Sequence, residues 1–519
     1  DSDPKLEQNV IDLFIKTEHE TKSYSEAFDV LADAINKHHL EASQALSEDR
    51  DPCPSRVYLS EFLGKYPRWF LDTIRYARNE LSSLFSGFDP NDIYPKHGPG
   101  AVSTGEQLAD KYRGWSRISP RVVAKYPLDA FFYASLGATC DHIQEILSLE
   151  YAEDFAKVIL VPKDSRGPRL ISCEPLSFQW IQQGLSSAIV KHVEHHYLTK
   201  DSVRFTDQEP NRNAAMIGSI TGSYSTLDLK EASDRVSLGL VRLLFPEPLL
   251  GYLEACRSLG TKLPNGEKII LNKYAPMGSA LCFPVLALTV WVLLKSGLRA
   301  INAYTGSNTN IYVYGDDVIV HTAIAEHAMT ILESFGLKIN RSKSCTKGSF
   351  RESCGMDAFK GSNVTPVRFR TAWTPLPRPE SYTSWVSYAN SVWNKKYYTC
   401  YDYIVSRLCA VYGAIPTTDC GISAPSLPYV PEQFSSLRFR IHKGLQKRQY
   451  WVLDVKPVTV HIELSGWRML LRYFSEGCAS YNSSRHLPAG EKPAEVDKTP
   501  FSVSVYTKRR RSKLRRCWR

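Results

Sequence analysis

Apolar residues recur at helical spacing through roughly the first 150 residues, as in Val10-Ile11-Asp12-Leu13-Phe14-Ile15 and Phe28-Asp29-Val30-Leu31-Ala32-Asp33-Ala34-Ile35. This stretch is therefore read as helices separated by turns. The period then changes. Val158-Ile159-Leu160-Val161 is a short apolar run leading into a basic loop, and Asn310-Ile311-Tyr312-Val313-Tyr314 and Val318-Ile319-Val320-His321 are β-branched and aromatic runs. The last two flank a tight turn in which Gly315 is free to take positive φ, so a β-hairpin with Asp316 at its tip is predicted. Ser225-Thr226-Leu227-Asp228-Leu229 reads as another strand ending in an acid, followed by an apolar helical stretch from Val236 to Phe245. Between these strands, Pro276-Met277-Gly278-Ser279 reads as a glycine loop opening a buried helix. Ser279 is expected to cap that helix, Pro284 to fall in its first turn and Gly297 to stop it. The apolar run is short and interrupted by Pro284, so no membrane span is expected.

Pro-Leu-Pro-Arg-Pro at residues 375–379 marks a break. Beyond it, Trp385, Tyr388, Trp393, Tyr397, Tyr398, Tyr401 and Tyr403 have helical spacing, which favours core packing over base stacking. Asn482 to Pro500 is polar and Pro-containing and reads as a loop. There are no internal repeats.

With 519 residues and 43% hydrophobic content the chain can bury a large core divided among subdomains. The net charge of +10 is uneven: Lys508 to Arg519 holds eight Lys or Arg and no acid, leaving only +2 for the rest. Lys508, Arg509, Arg510 and Arg511 open this tail, which is a candidate electrostatic footprint for RNA. Its deletion is expected to weaken RNA binding and lower the salt dependence. The 12 cysteines form no C-x-x-C pair or Cys/His cluster, so a reduced, intracellular chain is expected. His38-His39 and His195-His196 read as surface or packing pairs. No apolar secretory core begins the sequence, and Asp1 stands where a methionine is usual, so a few native residues are expected to precede it.

Tyr314-Gly315-Asp316-Asp317 carries the chemistry. Adjacent carboxylates repel and raise each other's pKa, an arrangement that a divalent cation relieves. Asp228, 88 residues earlier, supplies a carboxylate from a separate element, as two-metal phosphoryl transfer requires for cations about 3.5–4 Å apart. Oxygen donors without nearby His or Cys suit two Mg2+ ions, with Mn2+ as a substitute. Asp228 could also be a helix cap. Upstream, Lys163, Arg166 and Arg169 recur every three residues in a basic loop suited to triphosphate.

The order of acidic strand, glycine loop with helix, and Gly-Asp-Asp resembles the palm of viral RNA-directed RNA polymerases. Phe350-Arg351-Glu352-Ser353-Cys354-Gly355 is similar to the replicase catalytic subunit of the small positive-strand RNA bacteriophages, the leviviruses. So are Asp228-Leu229 with Ala232-Ser233-Asp234, Val161-Pro162-Lys163, Glu174-Pro175, His97-Gly98-Pro99-Gly100 and Val503 to Lys508. The resemblance covers residues 155 to 370 well, with islands outside. It implies an α+β right-hand polymerase: fingers and an N-terminal helical region over 1–221, a palm of antiparallel sheet backed by helices over 222–370 with a finger insertion near 246–272, and a helical thumb with the basic tail over 371–519. It implies RNA-templated RNA synthesis on a phage genome, with Asp228, Asp316 and Asp317 as metal ligands. Lys343 would protonate the leaving pyrophosphate or neutralise its charge. Arg351 would touch RNA phosphate, or pair with Glu352. Nucleotide contacts would come from Lys163, Arg166, Arg169, Gly278 and the ribose-selecting candidates Ser233, Asp234 and Ser279. Template and product RNA and ribonucleoside triphosphates are the implied ligands. Host elongation factors Tu and Ts and a small-subunit ribosomal protein are the implied partners, and the cytoplasm of an infected bacterium is the implied location.

One departure from the family pattern bears on sugar selection: Ser279 replaces the usual asparagine, and Phe283 stands where a polar residue often sits. Two alternatives remain open on sequence alone. A reverse transcriptase would share the palm but usually carries a larger residue at Gly315, and a non-catalytic RNA-binding relative would be expected to have lost one of the three aspartates.

Overall fold

In the computed structural model the described residues are 3–48, 61–107, 110–164, 167–303, 311–369, 371–428, 437–463, 466–483 and 504–519. Arg166, the 484–500 part of the expected loop and the side chains of Lys508 to Arg511 lie outside them. The chain divides into two compact units, Asp1–Thr365 with Leu470–Ala479, and Pro366–Met469 with Ser480–Arg519. Each is taken by itself.

The first unit opens with the long helix Pro4–Glu48, which buries Phe14, Glu18, Thr21, Ser25, Phe28 and Leu31 at spacings of three and four. Helix Arg68–Leu84 repeats the pattern with Phe70, Ile74, Ala77, Leu81 and Leu84 and packs on helix Cys282–Ala300. Phe335 joins the first two helices, stacking on Phe28 at 6.1 Å and on Phe70 at 4.5 Å between ring centroids. Cys282–Ala300 is the core element, with 14 of its 19 residues buried. Its length and composition would in fact allow it to cross a membrane; what occupies its apolar surface is the protein, which buries 78% of the apolar window. Gly297 does not stop it. A Cβ there would lie 2.7 Å from Ile331 Cγ2, so glycine serves close approach to helix Ala325–Ser334 while the helix continues to Ala300.

Two sheets flank this core. In the first, Asp317–His321 runs between Tyr224–Leu227 and Ile311–Tyr314, antiparallel to both. The central Val318, Ile319 and Val320 are buried, as continuous β-branched runs are when both faces are covered. In the second, the hairpin of Ala156–Asp164 and Gly167–Cys173 is extended by Gly260–Lys262, parallel to Ala156–Asp164, and then by Lys268–Ile270. Two smaller pairings complete the site region: Leu229–Lys230 with Lys338–Ile339, and Phe350–Ser353 with Met356–Phe359.

The second unit is not purely helical as expected. Helices Pro379–Asn394 and Tyr398–Tyr412 pack through Tyr382, Val386, Tyr401, Ile404 and Leu408, with Trp385, Tyr388 and Trp393 around them, so four of the seven expected aromatics join the core while Tyr397, Tyr398 and Tyr403 are exposed. Against them lies an antiparallel sheet of Phe439–His442, Lys447–Glu463 and Ser504–Trp518. The basic C-terminus is a paired strand whose Leu514 packs on the helical core, not a solvated tail.

Candidate functional site

The carboxylate hairpin forms as its sequence predicts. Tyr314 pairs with Asp317, leaving Gly315-Asp316 as the turn, and Gly315 has φ +63°. A second constraint on Gly315 was not visible in the sequence: a Cβ there would lie 2.1 Å from Phe283 Cε2. Phe283 packs edge-on against Tyr314 at 5.4 Å and Phe205 at 5.8 Å. The aromatic residue that departs from the family pattern is thus the wedge beneath the turn.

Asp228 follows strand Tyr224–Leu227 and caps no helix. The turn after Lys338–Ile339 holds it. Asn340 donates from Nδ2 to Asp228 Oδ2 at 2.6 Å and from its backbone N–H to Asp228 O at 2.8 Å, while Ser344 Oγ accepts from Asp228 N at 3.0 Å. Lys343 is exposed on this same turn, between the two residues that anchor Asp228.

Asp316 is open to solvent, but within a recess. Its carboxyl is pushed up by desolvation there, while its own backbone N–H opposes the shift; the Asp228 charge raises it further, and Arg169 and Lys163 pull it down. That pattern places Asp228, Asp316, Lys163 and Arg169 in one electrostatic neighbourhood. Asp317 behaves differently. Burial first, then the Asp316 charge, push it up to about 6, against hydrogen bonds from the Cys354 backbone and thiol. The thiol, itself pushed up to about 12 by burial, stays protonated to donate. Asp317, the first strand residue after the turn, meets Cys354, while Asp316, within the turn, opens to the cavity. Among the described residues no three His, Cys, Asp or Glu side chains close into a metal-holding group. The expected trio is therefore arranged as two plus one.

A cavity of about 470 Å3 lies beside Asp316. Lys163, Arg169, Ser233, Asp234, Gly278 and Ser279 all line it, so six of the expected nucleotide-contact positions converge. Lys163 and Arg169 are exposed, on paired strands of one hairpin. The glycine loop reaches the cavity by packing on that hairpin. Gly278 has φ +129°, a Cβ there would lie 2.0 Å from Ser172 O, and Ser172 N donates to Met277 O at 2.7 Å. Glycine is thus required at 278 by the chain's own backbone. Ser279 is not the helix cap. Cys282–Ala300 begins after Leu281, and the buried Ser279 hydroxyl donates to Gln182 Oε1 at 3.1 Å.

The N-terminal helix supplies an unexpected wall through Val10, Leu13, Phe14 and Thr17. It also completes an ion cluster. Lys273, fully buried, places Nζ 2.8 Å from Asp234 Oδ1 and 3.3 Å from Glu18 Oε2, with the Phe14 ring centroid at 3.7 Å. Neither Glu18 nor Lys273 carries a motif signal; a lysine inside an otherwise apolar stretch was the only hint.

Arg351 is not the exposed cation that a phosphate contact calls for. It is buried in strand Phe350–Ser353 and spends its guanidinium on the carbonyls of Tyr224, Gly348 (2.9 Å) and Phe350 (2.7 Å), tying that strand to the edge of the main sheet. The loop at His97-Gly98-Pro99-Gly100 is likewise structural, since buried Lys111 donates to Gly98 O at 2.7 Å, Gly100 O at 2.6 Å and Gln179 Oε1 at 2.7 Å. Desolvation lowers this lysine to about 8.

Comparison with known proteins adds a family. Residues 66–379, more than half of the chain, match the model described as RNA replicase, beta-chain. The RNA-directed RNA polymerase subunit beta of Qbeta virus (strain MX1) is 29% identical over 304 residues, covering 57% of this chain and 49% of that protein. The RNA-directed RNA polymerase beta chain of Enterobacteria phage GA is 32% identical over 312 residues, covering 59% and 56%. The chain spans about half the length of the curated relatives it matches. A solved structure of the BmCPV RNA-dependent RNA polymerase at its elongation state is similar with a TM-score of 0.40 and 10% identity, over 68% of this chain and 34% of that one. With its acidic hairpin, glycine loop and family match lying in one segment, the chain belongs to the RNA replicase beta-chain family.

Proposed function

We propose that this chain is an RNA-directed RNA polymerase that copies a positive-sense phage genome and its complement in the cytoplasm of an infected bacterium. The observation that carries the reading is Asp316 on a cavity lined also by Lys163 and Arg169, with the charge of Asp228, from a separate element, acting on its carboxyl. Like charges that raise a carboxyl pKa in a solvated recess suit a divalent cation, and the all-oxygen donors suit magnesium or manganese. Asp228 and Asp316 would hold it, with Asp317 joining only if it turns from Cys354. Bound there, two cations would activate the attacking 3′-hydroxyl and stabilise the pyrophosphate leaving group.

The chain's own groups supply the rest. Lys163 and Arg169 draw the triphosphate in and hold its oxygens, with Arg166 assigned the same role by resemblance. Asn340 fixes the rotamer of Asp228, and Phe283 fixes the turn that carries Asp316. Lys343, on the turn that grips Asp228, would neutralise or protonate the departing pyrophosphate. Of the ribose candidates, Ser279 is committed to Gln182 and Asp234 Oδ1 to Lys273, which leaves Asp234 Oδ2 and the Ser233 hydroxyl for a 2′-hydroxyl.

A right-hand arrangement is part of the proposal, with fingers over 1–221, palm over 222–370 and thumb over 371–519. The pairing of Gly260–Lys262 with Ala156–Asp164 supports counting 246–272 with the fingers. Host elongation factors Tu and Ts and a small-subunit ribosomal protein are carried over from the resemblance as proposed partners. The test is incorporation of labelled ribo- against deoxynucleotides on single-stranded RNA with magnesium, with and without host extract. Ribonucleotide incorporation supports the reading, deoxynucleotide preference points to a reverse transcriptase, and absence of both with extract present rejects a polymerase.

A further inference from the structure

The sheet of the second unit lies beyond residue 379, where the family match ends. Its two halves differ. Leu453, Val455 and Leu514 pack one half on the helical core. The other half is the hairpin of Phe439–His442 and the start of Lys447–Glu463, with the end of Ser504–Trp518 alongside. Residues 437–456 and 512–519 together hold ten Lys or Arg and one acid. That acid, Asp454, is buried and accepts from Arg519 Nε at 2.7 Å, so its charge is already spent.

The register interleaves these cations with rings. Phe439 pairs with Tyr450 and Ile441 with Arg448, so these four share one face. The Arg448 guanidinium lies 4.8 Å from the Phe439 centroid, while Phe439 and Ile441 stay 55% and 60% exposed. On the opposite face Arg440 and Arg438 lie 4.5 and 5.7 Å from the Trp518 ring, which packs 5.2 Å from Trp451. Ring-stacked guanidiniums are held flat with their N–H edges outward, a poise suited to phosphate. Exposed apolar rings among them have no use for an acidic peptide but offer platforms for bases.

We propose that this basic hairpin is a binding surface for single-stranded RNA, with Arg448 on a phosphate and Phe439 stacking on a base. The surface belongs to the second unit and the carboxylate cavity to the first. Because Ser504–Trp518 is a sheet strand anchored in the core, deleting it would remove structure along with charge, so the test uses point substitutions.

The experiment is fluorescence anisotropy of a labelled single-stranded oligoribonucleotide with the full chain, as a function of salt and without nucleotide or divalent cation. It therefore stands whether or not the polymerase reading does. Phe439→Ala is expected to weaken binding roughly 5- to 100-fold with the salt slope kept. Arg448→Ala is expected to weaken it and lower the slope by about one, whereas Arg448→Lys keeps the slope. Affinity and slope unchanged in both Ala variants would overturn the proposal. So would displacement of the RNA by poly-glutamate as readily as by unlabelled RNA, which would assign the surface to an acidic protein.

Discussion

Lys273→Met removes a buried cation that joins the N-terminal helix to the cavity. In the wild type its Nζ lies 2.8 Å from Asp234 and 3.3 Å from Glu18, which at an effective dielectric near 20 corresponds to roughly 6 and 5 kcal/mol of gross attraction. Desolvating three ions offsets much of this, and losing one member of a buried pair typically costs about 3–5 kcal/mol because its partners remain buried and unpaired. Loss of the lysine over the Phe14 ring at 3.7 Å adds about 1–2 kcal/mol. A loss of about 4–7 kcal/mol is a large fraction of the roughly 5–15 kcal/mol that stabilises a domain. It is measured as the shift of the first unit's transition in denaturant, followed separately from that of the second. If the cost is electrostatic, removing the stranded charges as well, with Glu18→Gln and Asp234→Asn, restores more than half of it. A single-variant loss below about 1 kcal/mol, or a triple variant no more stable than the single, would refute the reasoning.

Three further outcomes follow from the hairpin and its neighbours. Gly315→Ala must adopt positive φ, costing about 1–2 kcal/mol, and meet Phe283 at 2.1 Å, costing about 1–3 more; adding Phe283→Leu returns only the second part in thermal melts. Asp317, raised to about 6, binds more protons folded than unfolded, so its contribution is complete below about pH 4 and lost as pH rises through 6. Asp317→Asn therefore stabilises the protein at pH 7, by up to about 2 kcal/mol, and flattens the stability profile between pH 4 and 6. Asn340→Ala frees the Asp228 carboxylate; it should lower kcat for incorporation about 10- to 100-fold, with little change in the nucleotide KM.

The hairpin, the Asp228 strand, the buried helix and the loop at Gly278 were legible because each rests on local rules: β-branched runs, a glycine where φ is positive, an apolar run after a turn. The convergence of Lys163, Arg169, Ser233 and Asp234 on one cavity was legible only through family resemblance, since spacing in sequence says nothing of distance in space. What the sequence hid was tertiary. Arg351 looks like a surface cation until its strand partners bury it, and Gly297 looks like a stop until Ile331 is found against it. Asp317 reads as the twin of Asp316 until the strand that begins at Asp317 sets it against Cys354 while Asp316 stays in the turn. The basic C-terminus looks like a solvated tail because no local pattern announces that Lys447–Glu463 waits to pair with it across some fifty residues.

The most direct test of the central claim is magnesium-dependent ribonucleotide incorporation on an RNA template by the wild type, Asp228→Asn and Asp316→Asn, each verified as folded by its melting transition. The account predicts that either substitution removes incorporation by about three orders of magnitude or more, since each takes away a carboxylate that must hold a cation at the reacting phosphate. Wild-type rates in either variant would contradict it.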